Sequence, residues 1–438
     1  MTGTKPDAKI GLWTSAALVV GNMIGSGIFL LPATLAAYGA ISLVGWIASS
    51  AGAIALALLF SNLSKLMPHA PGGPYAYSRA GLGDFAGFLV AWGYWLSIWC
   101  TNAAILVTFV SYLSVFFPVI AKNSFYAVGI GLATVWLLTW INTLGVKTAG
   151  RVQLITTIMK LTPLVIVTFV GLFYIDTENF SPLNLSQESN FAAVTATATL
   201  TLFAFLGMES ATVPSANIRD PERTIPRATM IGTWITIVVY VVGSVTVMGM
   251  IPNGALRLSN APFADAAALI WGEQARSWVA LGAIVSTFGA LNGWILLQGQ
   301  IPLAAAKDKM FPSVFKRTNG KGVPVAGIVF SSILISALML MNFTKGLTDT
   351  FTFMILLSTL TVLVPYLFSA AAYGLMILQQ RFWKRNAVSK IILAVVAFSY
   401  SLWAVVGSGA ESVFWGFIAL MVGIPFYVWM KAIDSEKQ

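Results

Sequence analysis

Gly21-Asn22-Met23-Ile24-Gly25-Ser26-Gly27 stands in the middle of an apolar stretch that runs from Gly11 to Thr34. A helix built only to cross a bilayer gains nothing from glycines and small polar residues at that depth. Each glycine weakens the helix by about 1 kcal/mol relative to alanine. Backbone released from the helical ladder cannot face hydrocarbon, where every unsatisfied group is expensive. Such a segment persists where it lines a cavity, and there its N–H and C=O groups can hold a solute. The stretch therefore predicts an interrupted transmembrane helix at a binding site.

Composition extends the membrane reading to the whole chain. Apolar residues make up 58% of the 438 residues and charged residues 9%, with a mean hydropathy of +0.83. A soluble domain carries about 25% charge, so an all-α integral membrane protein is expected. The polar leader around Lys5, Asp7 and Lys9 runs into an apolar segment with no cleavage motif behind it, unlike a signal peptide. One cysteine, Cys100 in an apolar helix, excludes an internal disulfide and reads as a packing residue. With a single histidine as well, no metal site, cofactor or nucleophilic triad is expected.

At roughly 20 apolar residues per crossing, twelve helices are expected, at 12–37, 41–66, 82–114, 123–145, 150–174, 192–217, 226–250, 274–306, 324–343, 350–378, 388–408 and 411–431. Both termini are placed on the inner side. Of the 25 Lys and Arg, only Lys122, Arg257, Arg276 and Lys345 then fall outside, and Lys160 falls within a span. That positive-inside bias assigns the net charge of +10 to membrane orientation and contact with anionic lipid, not to nucleic acid. Arg219–Arg227 and Lys307–Lys321 read as solvated inner loops. Lys160 lies roughly 15 Å from the inner end of the fifth helix at about 1.5 Å per residue, close to the bilayer midplane.

The sixth helix repeats the anomaly of the first. Phe203-Ala204-Phe205-Leu206-Gly207-Met208-Glu209-Ser210-Ala211 places Gly, Glu and Ser in mid-span, with Pro214 one turn later. Breaks at corresponding places in two halves point to a midplane site. The expected organisation is a five-plus-five inverted repeat, 12–174 and 192–378, followed by two extra helices at 388–431 that suit a homodimer interface. Unusual length is expected of the third and eighth helices, as supports of the site. An integral-membrane enzyme would need clustered His, Asp or Glu, and a channel a ring of like charges; the sequence has neither pattern.

These residues resemble the amino acid–polyamine–organocation superfamily, whose inverted-repeat fold is shared with sodium-coupled neurotransmitter transporters. Gly21–Gly27 with Ile28-Phe29 and Leu31-Pro32-Ala33 resembles its first helix. Pro71-Gly72-Gly73-Pro74-Tyr75-Ala76-Tyr77 resembles the loop after its second. Phe205–Ala211 and Arg219–Ala228 resemble its sixth helix and the loop that follows. Within the superfamily the chain is most similar to bacterial arginine/agmatine and lysine/cadaverine antiporters, through Gly249–Asn253, Ala261-Pro262-Phe263, Gly293-Trp294, Val364-Pro365-Tyr366 and Ala404–Gly409. The resemblance implies a secondary amino-acid transporter of the bacterial inner membrane with both termini cytoplasmic. It would exchange a basic amino acid for its decarboxylated amine, or for another amino acid, by alternating access. Exchange or proton-coupled transport of neutral amino acids is the alternative.

The first break offers a carboxylate the backbone N–H groups from Asn22 and Met23 through Ile24, Gly25 and Ser26 to Gly27, the Ser26 hydroxyl, and a half-helix dipole. Carbonyls from Ala204 to Gly207 suit an α-ammonium. The resemblance maps the side-chain pocket onto Ile98, Asn102, Phe203, Leu206, Trp294 and Ser358, with Trp294 placed to cover a cation or an aliphatic stem. Those antiporters carry tryptophan where this chain has Phe203, and they lack Lys160. The apolar Ile98 and Leu206 give no carboxylate for a guanidinium. Lys160 is read as a fixed cation that replaces Na⁺ beside the unwound backbone, or as a lysine reaching an aqueous vestibule. Glu209 is read as a proton-linked switch or as a structural carboxylate on nearby backbone. Tyr94 and Tyr366 are gate candidates, one on each side of the site, and His69 is a loop histidine.

Overall fold

The computed structural model describes residues 10–68, 70, 72–144, 162–212, 215, 218–342, 344–379 and 387–435. His69, Lys160 and Pro214 lie outside the described residues. Among the described residues ten helices are long and apolar enough to cross a membrane: Leu12–Leu35, Ile41–Leu66, Asp84–Leu113, Ser124–Thr143, Asn190–Thr212, Pro221–Met250, Glu273–Lys307, Leu347–Gln379, Ala387–Val406 and Ala410–Ala432. The shorter apolar helices Thr162–Tyr174 and Val325–Met341 fall where the fifth and ninth spans are expected. Among the described residues the strand-like pairing is confined to one bridge, Ile10 with Ile218.

Three local differences from the sequence reading have physical causes. The seventh span begins at Pro221, so Pro221–Ala228 is helical and not a solvated loop. A proline in the first turn sacrifices no hydrogen bond, because that N–H has no intrahelical acceptor, and its fixed φ suits the helix. Great length is also not special to the third and eighth spans (30 and 35 residues), since the seventh and tenth have 30 and 33. The segment between the seventh and eighth spans holds an unforeseen helix, Pro262–Trp271. It too opens on proline, and Asp265 in its first turn pairs with Arg276 at 2.9 Å.

Burial divides the spans by role. In the first and third, 89% of the apolar window is buried within the protein, against 22% and 17% in the last two. The first and third spans therefore lie inside the bundle, while the eleventh and twelfth present Val395, Leu402, Phe417 and Trp429 outward. The third span packs along the tenth and eighth, the first along the seventh, and the second along the sixth and seventh. Between spans in lipid these contacts act through close packing and hydrogen bonds rather than hydrophobic exclusion.

Segments assigned to the inner side come together on one face. Tyr75 donates to Asp308 at 2.8 Å, Arg79 bridges Asp308 and Asp84 at 3.3 and 3.1 Å, and Lys431 reaches Asp84 at 3.0 Å. This chain of charges ties helix Pro74–Leu82 to the ends of the third, eighth and twelfth spans. Burial and the Asp308 carboxylate push the Tyr75 hydroxyl above its ordinary pKa, so it stays a neutral donor.

Candidate functional site

The first span is two helices, Leu12–Met23 and Gly27–Leu35, joined by Ile24, Gly25 and Ser26. Ile24 leaves helical backbone at φ −84°, ψ 86°, though its N–H still reaches Val20 O at 2.8 Å. Gly25 N–H turns back onto Met23 O at 3.1 Å. The second helix opens at Gly27 with first-turn N–H groups that have no intrahelical acceptor and carry the positive end of its dipole. Ser26 Oγ and Asn22 Nδ2 are buried with no partner among the described residues. An unpaired buried polar atom costs about 1–3 kcal/mol, so two at one break make it a candidate polar site.

The carbonyl freed at Met23 is met from the seventh span. Tyr240 donates its hydroxyl to Met23 O at 3.0 Å, and the backbone N–H groups of Ile28 and Gly25 face the Tyr240 hydroxyl oxygen in turn. The phenol is held from behind by Trp46 and Phe205, whose rings lie 5.5 and 6.4 Å from its own. Tyr240 was not among the residues expected at the site. The available signal was the one tyrosine of that span, because a buried phenol hydroxyl usually finds a partner.

The sixth span breaks over a longer distance. Helix Asn190–Leu202 tightens into a 3-10 turn at Phe203–Phe205, extends at Leu206, and turns through Gly207 before a second 3-10 turn at Ser210–Thr212. Gly207 has φ +96°, a conformation that glycine adopts at no steric cost. A Cβ at this position would stand 3.2 Å from Asn22 Cβ and 3.5 Å from Trp294 Cζ2. The two breaks thus meet at Asn22 and Gly207, with the eighth-span tryptophan against them. Trp294 Nε1 and Ser210 Oγ are also buried without a partner among the described residues.

Glu209 is 1% exposed. Tyr366 of the tenth span donates to its Oε2 at 2.9 Å, and Tyr94 of the third span lies against the same carboxylate. The two tyrosines do not stand on opposite sides of the site. They converge on one acid because the third and tenth spans pack along each other.

The walls come from the third, eighth and tenth spans. Gly25 lies between Ile105 and Ala290, each 3.9 Å from where a Cβ would sit. On the third span Ile98, Asn102 and Ile105 share one helical face; on the eighth, Ala290, Trp294 and Gln298 do so. Ile98, Phe203, Ala204, Leu206 and Trp294 are buried, and Phe203 sets its ring edge-on to Phe351 at 6.0 Å. The Ser358 hydroxyl is held within the helix contact, 3.1 Å from Ser97 O and 2.6 Å from Thr101 Oγ1. Asn102 bonds Gln298, a residue that sequence reasoning missed.

Two interrupted spans that face each other inside a helical membrane bundle define a transporter rather than an enzyme. The chain belongs to the amino acid permease family, whose pattern it matches over residues 10–429. It is 34% identical to the cadaverine/lysine antiporter of Escherichia coli (strain K12), over 96% of this chain and 94% of that protein. It is 32% identical to the arginine/ornithine antiporter of Pseudomonas aeruginosa, over 92% of this chain and 87% of that one. Among solved structures, the manganese transporter of Eremococcus coleocola is similar with a TM-score of 0.56 at 12% identity, covering 97% of this chain and 95% of that one. At that identity the likeness concerns the fold alone.

Proposed function

We propose that this transporter exchanges a basic amino acid for its decarboxylated amine or another amino acid, by alternating access and without Na⁺. The meeting of the two breaks at Asn22 and Gly207, beside unpartnered Ser26 Oγ and Trp294 Nε1, carries the reading. The substrate carboxylate lies at the first-turn amides after Ser26, and the α-ammonium at the carbonyls before Gly207. The side chain then runs between Phe203, Ile98 and Trp294, and the indole face takes its cationic end. Lys160 serves as the fixed cation in place of sodium, on the strength of its depth in the sequence. The Lys/Arg bias supports cytoplasmic termini in an inner membrane, and the exposed last two spans are where a second copy docks.

The apolar wall of Ile98, Phe203 and Leu206 favours a second reading, exchange of neutral amino acids. Radiolabelled counterflow in proteoliposomes separates the two, with lysine, arginine, ornithine, cadaverine and leucine trapped inside in turn. Acceleration by the cationic set and not by leucine is the expected result, unchanged when choline replaces Na⁺ at constant pH. Counterflow driven by leucine alone would move the protein to the second reading, and stimulation by a Na⁺ gradient would remove the role of Lys160.

A further inference from the structure

A chain of buried hydrogen bonds runs through the third, eighth and ninth spans and ends on Asn102 of the pocket wall; its other members have no part in the substrate site described above. Gln298 is fully buried. Its Nε2 lies 3.1 Å from the backbone oxygen of Ile328 and 3.0 Å from Ser332 Oγ, and its Oε1 lies 2.7 Å from Asn102 Nδ2. Ser332 is joined in turn to Thr139 of the fourth span at 2.6 Å. The eighth and ninth spans cross closely enough for this because small residues meet there: a Cβ on Gly327 would stand 3.1 Å from Gly299 Cα.

The direction of this chain follows from chemistry. A backbone carbonyl can only accept, so the Gln298 amide must turn its NH₂ toward Ile328. Its oxygen then faces Asn102, which must present NH₂ in reply. The Asn102 oxygen is what remains, and it is buried with no partner among the described residues. Asn102 stands on the face of the third span that also carries Ile105, next to the first break. One carbonyl on the ninth span thereby decides the polarity of a side chain at the site.

We infer that Gln298 is a positioning residue that holds the Asn102 oxygen toward the substrate, giving the pocket a neutral acceptor that selects side chains ending in an N–H cation. This deepens the proposed exchange of basic amino acids and rests on that reading. It explains how a wall with no carboxylate can discriminate for charge. An apolar end group in the same place leaves the Asn102 oxygen buried and unpaired, while an ammonium satisfies it.

The test compares ornithine with norleucine, which has the same shape with a methyl in place of the ammonium. Competition by each for counterflow is measured in proteoliposomes for the natural protein, Gln298→Met, Gln298→Glu and Asn102→Leu. The natural protein prefers ornithine. Gln298→Met frees the Asn102 amide to turn and lowers the ornithine-to-norleucine preference about tenfold. Gln298→Glu, protonated against the Ile328 carbonyl, still accepts from Asn102 and keeps the preference. Asn102→Leu removes the oxygen and loses the preference, which tests the inference even where Gln298→Met yields no folded protein. Equal weakening of both competitors in Gln298→Met, or retained preference in Asn102→Leu, would overturn the inference. A natural protein with no preference for ornithine would instead overturn the basic-substrate reading beneath it.

Discussion

The break in the first span is short, three residues from Ile24 to Ser26 between two helices, whereas the sixth span is interrupted from Phe203 to Thr212 by two 3-10 turns and a left-handed glycine. The short break is mended from outside: a seventh-span tyrosine takes the freed Met23 carbonyl, and the amides of the following half-helix stay in place as donors. The long break is mended largely from within. Leu206 N–H returns to Phe203 O, Ser210 N–H to Gly207 O and Thr212 N–H to Glu209 O, at 3.2, 3.0 and 2.8 Å. It also carries a carboxylate held by tyrosines of two other spans. On the proposed reading the first break is the fixed seat for the substrate's carboxylate, and the sixth, a jointed segment that carries Glu209, is the one suited to change during transport.

Glycine-to-alanine substitutions in the two breaks should give the largest contrast. Gly207→Ala must place a side chain at φ +96° and 3.2 Å from Asn22 Cβ. Strain of that kind is worth about 1–3 kcal/mol, and at this junction it should lower exchange about a hundredfold. Gly25→Ala meets only Ile105 and Ala290, at 3.9 Å and without a left-handed backbone. Its exchange rate should stay within about threefold of the natural protein, since contacts at that distance need little adjustment. Counterflow rates normalised to membrane-inserted protein measure both. Equal losses would erase the distinction between a tolerant and a strained break.

Charge should separate the breaks next. Glu209→Gln keeps the shape and an acceptor for Tyr366 while removing the charge, and exchange should fall about tenfold with a flattened pH profile. Tyr366→Phe leaves the carboxylate beside Tyr94 and should slow exchange with the profile preserved. Ser26→Ala in the first break should weaken apparent affinity at every pH, because nothing there titrates. A natural pH profile in Glu209→Gln would make the acid a structural anchor of the third, sixth and tenth spans.

The breaks were legible in the sequence because glycine and small polar residues in an apolar run violate a local rule, and hydropathy alone placed the ten long spans within five residues, the start of the fifth span lying outside the described residues. What mends the breaks was not legible. Tyr240 meets Met23, and Gln298 meets Asn102, across 217 and 196 positions of chain. Helical periodicity says which face a residue is on, never which distant span that face will touch. The same limit explains Tyr94 and Tyr366: both were singled out as gate candidates on opposite sides, yet only the packing of the third and tenth spans shows that they share one carboxylate. Pro262–Trp271 escaped notice for a different reason, being too short to register as a crossing.

A smaller effect than the loss at Gly207 or Glu209 bears most directly on how the first break is held. Tyr240→Phe keeps the ring between Trp46 and Phe205 and deletes only the hydroxyl that serves Met23 O. A buried carbonyl stripped of its donor costs about 1–3 kcal/mol, part of which nearby Gly25 N–H can offset, since it already reaches that oxygen. The remaining displacement falls on Ser26 and the amides behind it. The KM for substrate should therefore rise about fivefold with little change in maximal exchange rate, as for lost ground-state binding. A pure fall in maximal rate with unchanged KM would mean that Tyr240 acts in the conformational cycle. The first break would then be a moving part like the sixth rather than the fixed seat against which the sixth works.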